Sequence, residues 1–195
     1  MVGRPREFDF DQALDAAMQA FWAKGYEATS MTDLMAATGL HKGSLYQAFG
    51  DKHSLFLQAL HRYLAEMRAT ERQVLRTAPT PLDGLRTGAH QVLDMADSDE
   101  ECPRGCLAIN CMVELAPHDD EVKRILGDHM QHMRSTIGET IGDAQTAGQV
   151  RKDRPPKLLT AMMMTFMAGL ATTLKSGLDK DEAHRLLDAQ MDAIF

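Results

Sequence analysis

The chain is expected to be all-α, with a small three-helix unit at the N-terminus followed by a larger helical unit, and three observations predict this. No useful stretch alternates apolar and polar residues with the period of two that a half-buried strand requires. Apolar residues recur instead at steps of three and four along most of the 195 residues, the spacing that puts them on one face of a helix. Capping residues, glycines and prolines cut that periodicity into helix-length pieces.

From the N-terminus, Phe10, Leu14, Ala17, Met18, Phe21 and Trp22 form one apolar stripe, which Gly25 ends. Ser30-Met31-Thr32-Asp33 has the capping-box pattern and starts a short helix that reaches Thr38. Gly39 can take the left-handed conformation that closes this helix, and Leu40 can turn back to the core. A second short helix spans His41 to Phe49 and stops at Gly50. Asp51 can cap the long helix beyond it, whose apolar side carries Leu55, Phe56, Leu60, Tyr63, Leu64 and Met67. Thr77-Ala78-Pro79 is the first clear break, so the boundary is placed along or just after this helix, giving domains 1–68 and 69–195. Thr80-Pro81-Leu82-Asp83 restarts the chain with a second capping box and a proline at the first helical position. Helices are then expected at 81–96, 105–115, 119–147, 156–175 and 180–194. In 119–147, Val122, Ile125, Leu126, His129, Met130, Met133, Ile137 and Ile141 share a stripe, whereas 156–175 is apolar nearly all round. A helix of that kind needs cover on both sides. Leu159, Met163, Met167 and Leu170 can face its own domain, and Met162, Phe166 and Gly169 a second subunit.

The net charge of −7 opposes a protein that coats nucleic acid without specificity, because Lys and Arg contacts to phosphate drive such binding. The acid, however, lies mostly beyond the first unit. Residues 1–68 hold seven Lys or Arg and eight Asp or Glu, against fourteen and twenty in residues 69–195. Cys102, Cys106 and Cys111 form an odd, tight cluster rather than a disulfide framework, which suits a reducing cytoplasm. The N-terminus lacks the pattern of a signal peptide or lipidation site, and the apolar run between Lys157 and Lys175 reads as a buried helix, so no membrane partner is expected. Asp119 and Asp120 sit where acid favours a helix start. With no P-loop, nucleophile elbow or dinucleotide fingerprint, no catalytic residue, cofactor or enzymatic activity is expected. His118, His129 and His132 lack a Cys or carboxylate to complete a metal set. They are read as non-ligating, with His129 half-buried and His132 solvated.

Two short helices joined by a tight glycine turn, the second rich in small and polar residues, make a helix-turn-helix able to enter a major groove. Leu45 and Phe49, four apart, anchor the second helix and leave Lys42, Gly43, Ser44, Tyr46 and Gln47 on its other faces. Lys42 can neutralise a phosphate, Gly43 allows close backbone approach, and the Ser44 and Tyr46 hydroxyls can donate to phosphate oxygens. The Gln47 amide can pair with a base edge. Backbone donors at the helix starts after Ser30 and Asp51, with Lys52 beside the second, offer further phosphate sites, and Arg4 and Arg6 could reach a minor groove. The stretch TSMTDLMAATGLHKGSLYQAFGDKHSL, Thr29 to Leu55, resembles the DNA-binding domain of the tetracycline-repressor (TetR) family, and the preceding helix and GRPR arm are similar to it too. The resemblance implies DNA contact by Lys42, Gly43, Ser44, Tyr46 and Lys52, with specificity resting mainly on Thr32, His41, Ser44 and Gln47. His41 stands where that family commonly has Ser or Thr.

The same resemblance implies that residues from about 69 onward form a ligand-binding and dimerisation domain, whose last two helices pack against their mates in a homodimer. It also implies that an effector shifts the spacing of two reading heads on a palindromic operator, so that a repressor is released. No residue identifies that small molecule. Met95, Met112, Met130, Met133, Met163 and Met167 could line an adaptable apolar pocket, although ordinary core packing accounts for most methionines. Cys102-Pro-Arg-Gly-Cys-Leu-Ala-Ile-Asn-Cys is similar to a Gly-Cys-Leu pattern in a subgroup of the family that includes cysteine-based electrophile sensors. Cys106, near Arg104 at a helix start, and Asn110 are the candidate sensing residues there. The alternative is a small-molecule or redox-sensing protein in which the DNA head is secondary.

Overall fold

The computed structural model describes residues 8–96 and 104–195, so Arg4, Arg6 and Cys102 lie outside the described residues. Among the described residues there are nine helices and no strand. The chain divides into two compact units, Met1–Ala65 and Glu66–Phe195.

In the first unit, Asp9 caps α1 (Phe10–Lys24) by accepting from the N–H groups of Asp11 and Gln12 at 3.0 and 3.1 Å. Gly25, at φ +83°, ends it, and its N–H donates to the Phe21 carbonyl. The Ser30 hydroxyl accepts from the Asp33 N–H while the Asp33 carboxylate accepts from the Ser30 N–H, a complete capping box for α2 (Met31–Thr38). Lys24 pairs with Asp33 and so fastens the end of α1 to the start of α2. Gly39, at φ +69°, turns the chain toward α3 (Lys42–Phe49) in a conformation that costs a residue with Cβ about 1 kcal/mol or more. Asp51 then starts α4 (Lys52–Thr77) by accepting from the Ser54 N–H at 2.7 Å.

The apolar faces of these helices meet in a core where Phe21, Leu34, Leu45, Leu55, Phe56 and Leu60 are all but inaccessible. Phe10 stacks on Phe49 with ring centroids 4.6 Å apart, and Phe21 meets Phe56 edge-on at 5.2 Å. Arg62 reaches from α4 to Asp11 and Asp15 on α1, which holds these two helices in register.

The second unit contains α5 (Pro81–Ala96), α6 (Leu107–Glu114), α7 (Asp120–Thr146), α8 (Pro156–Lys175) and α9 (Lys180–Ile194). Leu85, Leu93, Ile141, Leu159, Leu170, Leu174 and Leu187 form its core. By length and composition α8 could cross a membrane. Its Leu159, Met163, Leu170 and Leu174 are instead packed into this core, at most 6% exposed. Met162, Phe166 and Met167 on α8 are only partly buried. Along α5 and α9 a polar row adds to the apolar contact. Arg86 pairs with Asp192, His90 with Asp188 at 2.9 Å, and Lys180 with Asp94 at 3.2 Å.

Two sequence expectations need correction. The helix expected to start at 105 begins at Leu107. Gly105 has φ +65°, and a Cβ there would lie 3.0 Å from the Ala171 carbonyl oxygen on α8, so close backbone approach holds this residue in the loop. The histidines differ as well. His129 is fully buried rather than half-buried, and His132 is paired through Nε2 with Glu71 at 2.9 Å rather than merely solvated.

Candidate nucleic-acid interface and effector cavity

The interface is built by the two-sided character of α3. Leu45 and Phe49 are buried and fix the helix to the first unit, while Lys42, Gly43, Tyr46 and Gln47 are exposed. These four are related by steps of three and four, so they form one solvent-facing strip. The Lys42 ammonium lies 5.8 Å from the centre of the Tyr46 ring, placing a cation and a phenol side by side. Ser44 is half-buried beside the strip. His41 is the exposed N-cap of α3 but makes no side-chain cap bond, which leaves the donors of the first turn open. A Cβ on Gly43 would meet nothing within 4 Å, and its φ is not positive, so neither packing nor backbone geometry demands glycine there.

Around this strip, Thr32 and Ser30 are exposed at the start of α2. Ser30 is engaged as its capping-box pattern predicts: its hydroxyl donates to Asp33 at 2.6 Å and its N–H is also taken by that carboxylate. Lys24 and Ser30 together hold the Asp33 carboxyl well below the usual carboxylate range. Lys52 lies over the Tyr26 ring at 4.3 Å, a cation–π contact that positions its ammonium at the start of α4. Exposed cations, hydroxyls and an amide on one short helix can meet phosphate oxygens and base edges; they include no nucleophile–base pair.

The second unit holds a cavity of about 150 Å³. Met130, Met133, Met163 and Met167 line it, as do Met95 and Cys106. Met112 and Asn110 do not. The Asn110 side chain donates to the Arg104 carbonyl at 2.9 Å and braces the loop before α6. Sequence reasoning missed Met67, Glu71, Gln91 and Met164, which also line the cavity. Glu71 left a readable signal, since it falls four residues after Met67 and three before Val74 on an otherwise apolar stripe. Burial, with Glu114 nearby, pushes the Cys111 thiol up to about 12, and Cys111 lies outside the cavity. Among the described residues no group of three or more His, Cys, Asp or Glu could hold a metal ion.

Residues 13–59 match the family model described as bacterial regulatory proteins, tetR family, and residues 81–190 match that of the tetracyclin repressor-like C-terminal domain. The chain is 28% identical over 175 residues to the HTH-type transcriptional repressor ComR of Escherichia coli, covering 90% of this chain and 83% of that protein. It is 27% identical over 175 residues to the HTH-type transcriptional repressor BdcR of the same organism, with the same coverage. Among solved structures it is similar to a cysteine mutant of the TetR family regulator CifR bound to 26-base-pair operator DNA. That likeness has a TM-score of 0.85 and 29% identity, covering 98% of this chain and 99% of that one. The helix-turn-helix of the first unit, the all-helical second unit and these matches across both together establish that the chain is a DNA-binding transcriptional regulator, not an enzyme, and belongs to the tetR family of bacterial regulatory proteins.

Proposed function

We propose that the chain is a cytoplasmic, homodimeric repressor that leaves a palindromic operator when a small molecule enters the cavity of its second unit. In this reading residues 1–68 bind DNA and residues 69–195 bind effector and dimerise. Lys42, Ser44, Tyr46 and Lys52 contact phosphates, Thr32, His41 and Gln47 read bases, and Gly43 lets the backbone approach the duplex. Arg4 and Arg6 reach the adjacent minor groove. Ser30 caps α2 and directs the backbone N–H groups that follow it toward a further phosphate. The observation that carries the reading is the exposed strip of α3, whose Gly43 has open space around it and whose Tyr46 is 44% exposed, so neither serves the packing of the chain. Homodimerisation is supported by Leu158 on α8 and Leu186 on α9, large apolar side chains 47% and 43% exposed.

Footprinting and gel-shift titration on the DNA flanking the chain's own coding sequence test this. A specific, salt-sensitive complex is expected, weakened at least tenfold by Tyr46→Ala. Failure to select any duplex from a random pool defeats the reading.

A second reading, release through a thiol, has one observation in its favour: Cys106 lines the cavity at the N-terminal end of α6. Its thiolate would add to the β-carbon of an activated alkene and form a thioether, the C=C π bond breaking and the adjacent carbon taking a proton from solvent in place of the one the thiol gave up. Under this reading Cys106→Ser keeps operator binding but loses release by thiol-reactive compounds. Unchanged release eliminates it.

A further inference from the structure

Methionines give the cavity an apolar and pliable wall, and three polar residues of its lining each hold a buried atom without a hydrogen-bond partner. His129 on α7 is 2% exposed, and its Nδ1 has no partner. Glu71 on α4 gives one carboxylate oxygen to His132 and leaves Oε1 buried without a partner. Gln91 on α5 likewise leaves its carbonyl Oε1 buried and unpaired. These residues come from three helices and line the same cavity. Folded proteins pair nearly all such atoms, because burial strips them of water and returns nothing when no partner is present. Three such residues in the lining of one cavity therefore point to an occupant that brings partners of its own.

Their chemistry narrows that occupant. The Glu71 carboxylate and the Gln91 carbonyl can only accept hydrogen bonds. Burial, with Arg68 and His132 nearby, lowers the His129 pKa to about 4, so its imidazole is neutral at pH 7 and can give or accept one hydrogen. A cavity of this volume suits a molecule the size of benzene. We propose that the cavity takes a compact apolar molecule carrying an O–H or N–H donor, the class of phenols, short alcohols and amines, and rejects carboxylates of the same size. Glu71 and Gln91 accept from the donor group, His129 completes its pairing, and Met130, Met133, Met163 and Met167 enclose the apolar body. Neither Glu71 Oε1 nor Gln91 Oε1 offers a donor to a carboxylate, which brings only acceptors of its own. This ligand class rests on the reading of the second unit as an effector domain.

Phenol, toluene and benzoate separate the alternatives, because the three share one ring and differ in the polar group. The full chain, labelled at its methionine methyl carbons, is titrated with each compound and followed by NMR. A cavity without polar partners favours toluene, since phenol would lose the hydration of its hydroxyl. The expected order is phenol at least tenfold tighter than toluene, with no response to benzoate. Gln91→Met and Glu71→Gln should each narrow the gap between phenol and toluene, and circular dichroism checks their folding. The ranking in the unaltered chain is decisive without them. Toluene binding as tightly as phenol, or benzoate binding tightest, overturns the ligand class while leaving the cavity as a binding site. Silence of every cavity methionine toward all three compounds overturns the ligand class and the effector-cavity reading together.

Discussion

Gly43 and His129 each carry a local cost. Glycine near the start of a helix gives up conformational entropy that alanine would not, and open space surrounds Gly43. Gly43→Ala is therefore expected to stabilise the fold by about 0.5 kcal/mol in urea melts while weakening operator binding. A fold that becomes less stable, or an operator complex left unchanged, contradicts the role given to this position. His129 has the opposite balance. Its pKa falls from 6.5 to about 4 on folding, chiefly through burial. As pH drops through that window the unfolded chain binds a proton that the native chain refuses, so stability is lost between these two values and the loss levels off below the lower one. The expected loss is roughly 2 kcal/mol between neutral pH and pH 4.5. Melts of His129→Gln should show a pH dependence shallower by that amount, and identical slopes would refute the assignment. Both cysteines are buried, but Cys111, protonated up to about 12 and outside the cavity, should label far more slowly with a thiol reagent than Cys106, which lines it.

At the scale of the element, α2 and α3 are too short to be stable alone and depend on their ends and on one buried face. The Ser30–Asp33 box satisfies donors at the start of α2, and Leu34 is its one fully inaccessible side chain. Ser30→Ala should cost about 1 kcal/mol, read as a lower denaturant midpoint, and Leu34→Ala about 2–5 kcal/mol. The ends of these helices were legible because caps are local. Ser30, Asp33, Gly39, Gly50 and Asp51 act on backbone groups within four residues of themselves. The start of α6 was not legible, because the constraint on Gly105 comes from the Ala171 carbonyl, far along the chain.

For the whole molecule, the charge distribution bears on binding. A chain of net charge −7 gains little from general attraction to DNA, so its affinity has to come from a few placed cations. Lys42→Ala is expected to lower the slope of log affinity against log salt by about 1. A slope unaltered within error would mean that Lys42 touches no phosphate. Period, caps and breakers were sufficient for an all-α chain, for the helix-turn-helix and for the residues α3 would present, since each depends on contacts within a turn or two of helix. The cavity followed only in part. Met130, Met133, Met163 and Met167 could be proposed from apolar stripes, but Asn110, proposed beside Cys106, braces a loop instead. Bringing Glu71, Gln91 and His129 to one wall, with an unpaired atom on each, required α4, α5 and α7 to pack together. A sequence records which side chains are polar; which of them lose water, and which find no partner, depends on segments distant in the chain meeting in the fold.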